Sequence, residues 1–451
     1  MSNTAPRVAS TTRRSFLART AIGGSAGFFV DWSGRTTAMA NSQRLRIAAA
    51  GGTGRGGDNI RGFAEVADIV AIADVDATLL AKAAAAHPNA RTYADARVML
   101  EKEAERIDAV CVSTPDHTHA PLAAMALRLG KPVYCEKPLT HTVLEARTLA
   151  ALAAERGLVT QMGTQIHAGD NYRRVVEWIR SGAIGEVREV HVWSSARYSG
   201  GRFASGEKPA GLDWNLWLGP APERPYSPDV HPFQWRKFWD FGSGALGDFG
   251  CHYMDLVHWA LDLRSPERIE AEGPPVDAVS PPEWCIVHYD YPARGDRPPV
   301  KLHWYDSGRQ PAMLGEVLRS IPTTDGKPIE WKSGQLFLGS EGMLIADYGR
   351  HRLLPVERFA DVKPPEKSIP SSVGHHREFV EAIVAGRDAG GRAAATTCSF
   401  DYSGRLTEAV LLGVASYRSG RPIEWDGDAA RVKGSSGESF IHKDYRKGWA
   451  L

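Results

Sequence analysis

Between residues 44 and 162, short apolar runs alternate with stretches of helical period. Residues 44–50 (Arg-Leu-Arg-Ile-Ala-Ala-Ala) and 69–73 (Ile-Val-Ala-Ile-Ala) read as buried strands, as do 107–112, 132–135 and 159–162. Helical stretches fall between them at 76–86, 94–103, 119–129 and 142–156, the last stopped by Gly157. Strands interleaved with helices predict a parallel, doubly wound sheet, with ligands outside the carboxyl ends of the strands. The unusual turns lie at those ends: Gly52 to Gly57, Asp74, Thr114 to His119, Glu136 to Pro138 and Gly163 to His167.

Beyond about Ile166 the texture changes. A helix over 171–180 is followed by an alternating strand over 186–194. A region rich in Trp, Gly and Pro then carries strands near 285–289 and 301–305, and helices return at 375–385 and 403–417. Runs of strands with helices kept apart predict an α+β domain with an open, mostly antiparallel sheet. The expected organisation is a dinucleotide-binding Rossmann domain over 41–165 and an α+β substrate and oligomerisation domain over 166–451. An exposed sheet face of that kind commonly finds a partner, so a homo-oligomer is expected.

The first turn carries a nucleotide signature. Gly52, Gly54 and Gly57 fit Gly-x-Gly-x-x-Gly between a strand and a helix, and Asp74 ends the next strand. In that pattern one glycine makes the tight turn, one admits the pyrophosphate and one lets helix and strand pack closely. The phosphates sit on the free N–H groups of a helix N-terminus, beside Arg55. Asp74 would accept from ribose hydroxyls and repel a 2′-phosphate, which points to NAD rather than NADP.

Residues 1–40 read as an export signal rather than as part of the fold. Thr12-Arg13-Arg14-Ser15-Phe16-Leu17 has the twin-arginine pair, a mildly apolar stretch covers 21–30, and Ala38-Met39-Ala40 offers a cleavage site. That stretch is too short and Gly-rich to span a membrane. Twin-arginine export moves folded proteins, so partnership with that machinery and a periplasmic or secreted location are expected. No pool of free NAD exists there, so a nucleotide carried out must stay bound and be regenerated in the site.

The remaining roughly 410 residues suffice for two domains of ordinary size. Formal net charge is +1 without a long basic run, which argues against nucleic acid as a partner. Five cysteines lack paired or zinc-type spacing, and Cys111 and Cys135, in apolar strand contexts, read as buried thiols.

Two segments carry candidate chemistry. Glu136-Lys137-Pro138 ends a parallel strand, and Pro138 biases Lys137 to extended backbone, facing the nicotinamide, where its ammonium can stabilise an alkoxide. In residues 242–255, Asp248 and His252 stand four apart and share a helix face, with Asp255 a turn on. The histidine can take a hydroxyl proton as hydride leaves the same carbon. Two other readings stay open: Asp248 as a structural cap with His252 in the core, or a metal pair with His167 as third ligand. Trp193, Arg197, Tyr198, Trp214, Trp235, Arg236 and Trp239 could stack on or bind a sugar, or pack the core. His303, Trp304 and Asp213 are further candidates.

The glycine loop, Thr114-Pro115-Asp116-His117-Thr118-His119, Glu136-Lys137-Pro138 and Gly247-Asp248-x-Gly-x-His252-x-x-Asp255 together resemble the Gfo/Idh/MocA oxidoreductases, over nearly the whole chain beyond residue 40. Gly163-Thr164-Gln165, Trp235-Arg236 and the closing Tyr445-Arg446-x-Gly448-Trp449 resemble an exported bacterial subgroup. The resemblance implies Lys137, Asp248 and His252 as catalytic residues. It places Gly52, Gly54, Asp74, Thr114, Asp116, His119, Glu136, Lys137 and Gln165 along the cofactor. Arg197, Trp235, Arg236, Asp248 and His252 would meet a carbohydrate substrate, with no metal assigned. The family includes glucose–fructose oxidoreductase, inositol dehydrogenase and an NAD-dependent branch of glycosidases. Two enzymatic readings follow: a sugar or polyol oxidoreductase recycling a bound NAD, or a glycoside-cleaving enzyme using transient oxidation and elimination. A protein that merely retains NAD is a third.

Overall fold

A computed structural model describes residues 44–323, 327, 329–386, 394–434 and 437–451. The twin-arginine motif and the cleavage site lie outside the described residues.

The first half alternates strictly. β1 (Arg46–Ala50), α1 (Arg55–Ala64), β2 (Asp68–Ala73), α2 (Ala77–Ala86), β3 (Arg91–Tyr93) and α3 (Ala96–Glu103) are followed by β4 (Ala109–Val112), α4 (His119–Arg128), β5 (Val133–Glu136), α5 (Val143–Arg156) and β6 (Thr160–Gly163). The six strands are parallel in the order β3-β2-β1-β4-β5-β6. The chain reverses its direction of winding between β1 and β4, the point where such sheets take their ligands. β1, β4, β5 and β6 are wholly or nearly wholly buried, as strands covered on both faces are, and β6 buries Thr160 and Gln161 by hydrogen-bonding them to Phe400 and His375. β3 escaped the sequence pattern because it is three residues long and two of them are exposed.

Local chemistry sets the helix ends. Asp76 accepts from the amides of Thr78 and Leu79, and Asp95 from that of Arg97. α5 opens with a capping box, Thr142 accepting from the Glu145 amide while Glu145 accepts from the Thr142 amide. Gly157, at φ 58°, closes it in the left-handed region.

The second half holds α6 (Asp170–Arg180), β7 (Val187–Trp193), α7 (Gly244–Leu261), β8 (Arg268–Glu272), β9 (Ile286–Tyr291), β10 (Val300–Tyr305), β11 (Gly334–Gly339), β12 (Met343–Ala346), β13 (His351–Leu354), α8 (His375–Ala385), α9 (Phe400–Ser419), β14 (Ile423–Asp426) and β15 (Arg431–Val432). Its nine strands run β13-β12-β11-β7-β10-β9-β8-β14-β15, antiparallel except for the β7–β10 pair.

α9 joins the two halves. It packs against α5 on one side and against α7 and β8 on the other, and Leu406, Val410, Leu412 and Ala415 are buried. Each such leucine or valine withdraws about 1.5–3 kcal/mol of side-chain surface from water. α7 is apolar nearly all round and correspondingly buried, which is why its few polar residues, Asp248, His252, Asp255 and His258, stand out. The five cysteines are buried and unpaired. Among the described residues, no helix is long and apolar enough to cross a membrane.

Candidate active site

The turn after β1 is built by close approaches. Gly51 has φ 93°, and a Cβ there would stand 2.5 Å from the Ser113 carbonyl oxygen. A Cβ on Gly56 would stand 2.2 Å from the Gly51 carbonyl oxygen, whereas one on Gly57 meets nothing nearer than 3.4 Å. The glycine that lets α1 pack onto the turn is therefore Gly56, and the assignment of that role to Gly57 is corrected. Sequence could not decide between adjacent glycines. Gly54 caps α1 without a side-chain acceptor and faces open space, so the amides of the first turn are free for an anion. Arg55 is exposed beside that turn, 3.5 Å from Asp58.

Asp74 ends β2 with Oδ2 accepting from the Gly52 amide (3.0 Å) and Oδ1 from the Asp76 amide (3.1 Å). Burial raises its pKa, partly offset by the Gly52 amide. Its oxygens keep lone pairs for ribose hydroxyls. A glycine cradle that a Cβ would fill, an uncapped helix start and a carboxylate at the next strand end fit a dinucleotide.

At the ends of β5 and β6, Glu136 gathers donors. Oε1 accepts from Asn59 Nδ2 (2.8 Å) and Gln165 Nε2 (2.6 Å). Burial pushes the Glu136 carboxyl up, while Asn59 and Lys137 pull it down. Asn59, which also donates to Ser113 Oγ at 2.9 Å, was missed from sequence; its only signal was a buried position on α1. His119 Nδ1 lies 2.9 Å from the Pro138 carbonyl and its Nε2 2.7 Å from the Thr114 carbonyl. Burial lowers the ring's pKa to about 4, so it is neutral and carries one N–H, which it donates to one of these two carbonyls, tying a turn in place. Thr114 Oγ1 accepts from Thr118 Oγ1 at 2.7 Å.

Lys137 follows Glu136, with a cis bond to Pro138. Its Nζ donates to the Asp248 carbonyl oxygen at 2.8 Å and pairs with the Asp248 carboxylate. Arg236 Nε lies 3.1 Å from the same carboxylate oxygen, and its guanidinium covers the Trp235 ring at 4.1 Å. Burial pushes Asp248 up, but Lys137 and Arg236 outweigh it and hold the carboxyl well below the ordinary range. Burial and then Lys137 drive His252 down to about 3, and its Nδ1 is buried without a hydrogen-bond partner. Asp116 is buried at the same place. Burial raises it to about 8 despite Arg236, and its Oδ2 is unpartnered.

The metal alternative is not built here. His167 Nδ1 pairs with Asp255 (2.9 and 3.0 Å), its ring stacks on Trp259, and Tyr402 donates to Asp255 at 2.7 Å. Nor does Asp248 act as a helix cap. Arg197 is exposed and lies 3.5 Å from Glu283, while its neighbour Tyr198 reaches the cluster. Tyr198 lies under Arg236 and near Phe249, and burial and then Asp248 raise its hydroxyl to about 12. Trp193, Trp214, Trp239 and Trp304 are core residues, Trp235 is a buried platform, and Asp213 caps a one-turn helix at Trp214–Leu218.

Residues 45–164 match the model of an oxidoreductase family's NAD-binding Rossmann fold, and residues 186–296 match that family's C-terminal alpha/beta domain. The chain belongs to the Gfo/Idh/MocA family. Its cofactor is NAD. Inositol 2-dehydrogenases are among the relatives of this family member. That of Rubrobacter xylanophilus is 33% identical over 149 residues, 32% of this chain and 42% of the relative. That of Leifsonia xyli is 36% identical over 162 residues, 34% of this chain and 46% of the relative. The matched stretch thus spans less than half of either. An uncharacterised oxidoreductase of Schizosaccharomyces pombe is 25% identical over 67% of this chain and 77% of its own. The fold is shared with an inositol dehydrogenase homologue of Azotobacter vinelandii complexed with NADH and myo-inositol (TM-score 0.55, 18% identity, covering 85% of this chain and 98% of that one).

Proposed function

We propose that this protein oxidises and reduces hydroxyl carbons of a sugar or polyol on an NAD that stays bound, after export by the twin-arginine route. The observation that carries the reading is the Lys137–Asp248–Arg236 charge group, with His252 one turn along α7 from Asp248. His252 is uncharged at neutral pH and its Nδ1 is committed to no protein acceptor. It is therefore placed to take the proton of a substrate hydroxyl. Lys137, held by the Asp248 carbonyl and carboxylate, donates to the same oxygen as negative charge develops there. NAD, when bound, supplies the hydride acceptor and later the donor. Arg236 on its Trp235 platform, with Tyr198 beside it, offers N–H and O–H groups to neighbouring hydroxyls. Relatives named as inositol 2-dehydrogenases support a polyhydroxylated substrate. Residues 12–17 and 38–40 support export, and the loss of exchangeable NAD after export supports retention of the cofactor. The outer face of the second sheet is expected to meet a second copy.

The test incubates purified protein with a panel of sugars, polyols and glycosides without added NAD. Paired oxidised and reduced products are expected. Free sugar released without net oxidation would replace the proposal with cleavage by transient oxidation in the same site. No turnover on any of them would overturn both.

A further inference from the structure

On the second sheet, away from Lys137 and Asp248, polar side chains meet in an unusual way. His191 on β7 and His303 on β10 are register partners in the one parallel pair, and His303 faces His288 on antiparallel β9. Glu189 stands two residues before His191, hence on the same face. Glu189 Oε1 lies 3.1 Å from His191 Nε2 and 3.3 Å from His303 Nε2. The His191 and His303 rings stack at 5.0 Å.

Counting protons exposes a deficit. His288 Nε2 is 3.0 Å from Glu272 Oε1, and a carboxylate only accepts, so that nitrogen carries the proton. A neutral His288 then presents a lone pair at Nδ1. His303 Nδ1, 2.6 Å away, must donate to it. A neutral His303 is thereby left with a bare lone pair at Nε2, pointing toward the Glu189 carboxylate. His191 Nδ1 is engaged at 3.1 Å by Tyr305 Oη, and its Nε2 is buried without a hydrogen-bond partner beside the same carboxylate oxygen. The His303 Nε2 lone pair and the Glu189 carboxylate thus face each other with no proton between them, and His191 Nε2 meets the same carboxylate oxygen.

We propose that Glu189, His191 and His303 bind a divalent transition metal, zinc being the best match. Their ligand atoms lie within 4.8 Å of one another, and they are the one such group among the described residues. Tetrahedral zinc with bonds of about 2.0–2.2 Å sets its ligand atoms about 3.3 Å apart, close to the two Glu189 contacts. Two imidazoles and one carboxylate are a recognised zinc set that leaves a fourth position for water or a group from outside the chain. The outer partners are also those a metal site uses. His303 gives its remaining N–H to His288, which is anchored by Glu272, and His191 is held by Tyr305.

The test uses untagged protein, stripped with a chelator and freed of it, then titrated with Zn(II) and separately with Co(II). One zinc per chain is expected, with a visible Co(II) spectrum of tetrahedral intensity. Glu189→Gln and His303→Ala should each weaken binding 100-fold or more. His288→Ala removes no ligand from a partly exposed position and should weaken it about 10–100-fold, the usual effect of an outer partner. Melting curves of the metal-free variants establish that each is folded. No stoichiometric zinc in the wild type would show that a proton supplies the missing charge, and would overturn the proposal. Binding equal in all the variants would also overturn it.

Discussion

Replacing Lys137 by alanine tests the centre of the proposed chemistry. Its side chain is only 10% exposed, donates to the Asp248 carbonyl at 2.8 Å and pairs with the Asp248 carboxylate. Losing a fixed donor to a developing oxyanion costs roughly 100- to 1000-fold in turnover, about 2.7–4 kcal/mol of transition-state stabilisation. Folding should suffer less. Stripping a buried ion of its only partner costs about 3–5 kcal/mol, but Asp248 keeps Arg236 at 3.1 Å. Turnover should therefore collapse while the melting temperature falls by only a few degrees. The assay follows the bound nicotinamide's absorbance in each half-reaction, with kcat and KM for the sugar or polyol identified by the panel. His252→Ala should lose about 100-fold or more by removing the proton acceptor. Turnover in either variant within a few-fold of wild type, with unchanged stability, would refute the assignment of that residue.

Three further outcomes are expected. Heat-denatured, desalted protein should release about one NAD(H) per chain; no nucleotide would refute its retention, and NADP(H) would refute the role given to Asp74. Gly56→Ala should destabilise the protein and weaken nucleotide retention, because its Cβ would stand 2.2 Å from backbone, whereas Gly57→Ala should be close to neutral; equal melting temperatures would refute the corrected assignment. Asp116 should make stability depend on pH. Unfolded it ionises at about 4, folded at about 8, so wild type loses stability as pH rises between those values and Asp116→Asn does not. Melting temperatures of the two proteins that run parallel from pH 5 to 9 would sink the argument.

The parallel sheet was legible because buried strands and amphipathic helices leave strong periodicities and its loops carry Gly, Pro and Asp at fixed places. Lys137, Asp248 and His252 were legible as a candidate group chiefly through the family resemblance, since the pattern alone left a structural cap and a metal pair open. What the sequence could not separate were neighbours. Gly56 and Gly57, or Arg197 and Tyr198, differ by one position, and only backbone geometry says which side chain points inward. Nothing in a sequence shows that two backbone carbonyls will stand 2.9 and 2.7 Å from the two His119 nitrogens. The Glu189–His191–His303 group was beyond reach as a unit, since over a hundred residues separate the strands that bring it together.

The charge balance of the site gives the arrangement its logic. Lys137 and Arg236 bring two positive charges to the one ionised carboxylate of Asp248, and burial raises Asp116 to about 8, leaving it uncharged at neutral pH. The group therefore carries one net positive charge in a place from which much of the water is excluded, where such a charge acts strongly on an alkoxide. Burial first and then Lys137 drive His252 the other way, keeping it uncharged instead of a second cation. A site holding both Asp116 and Asp248 ionised would cancel the excess and lose its pull on the substrate oxygen. Burial keeps Asp116 uncharged and prevents that, so this carboxyl helps set the electrostatics of the proposed step.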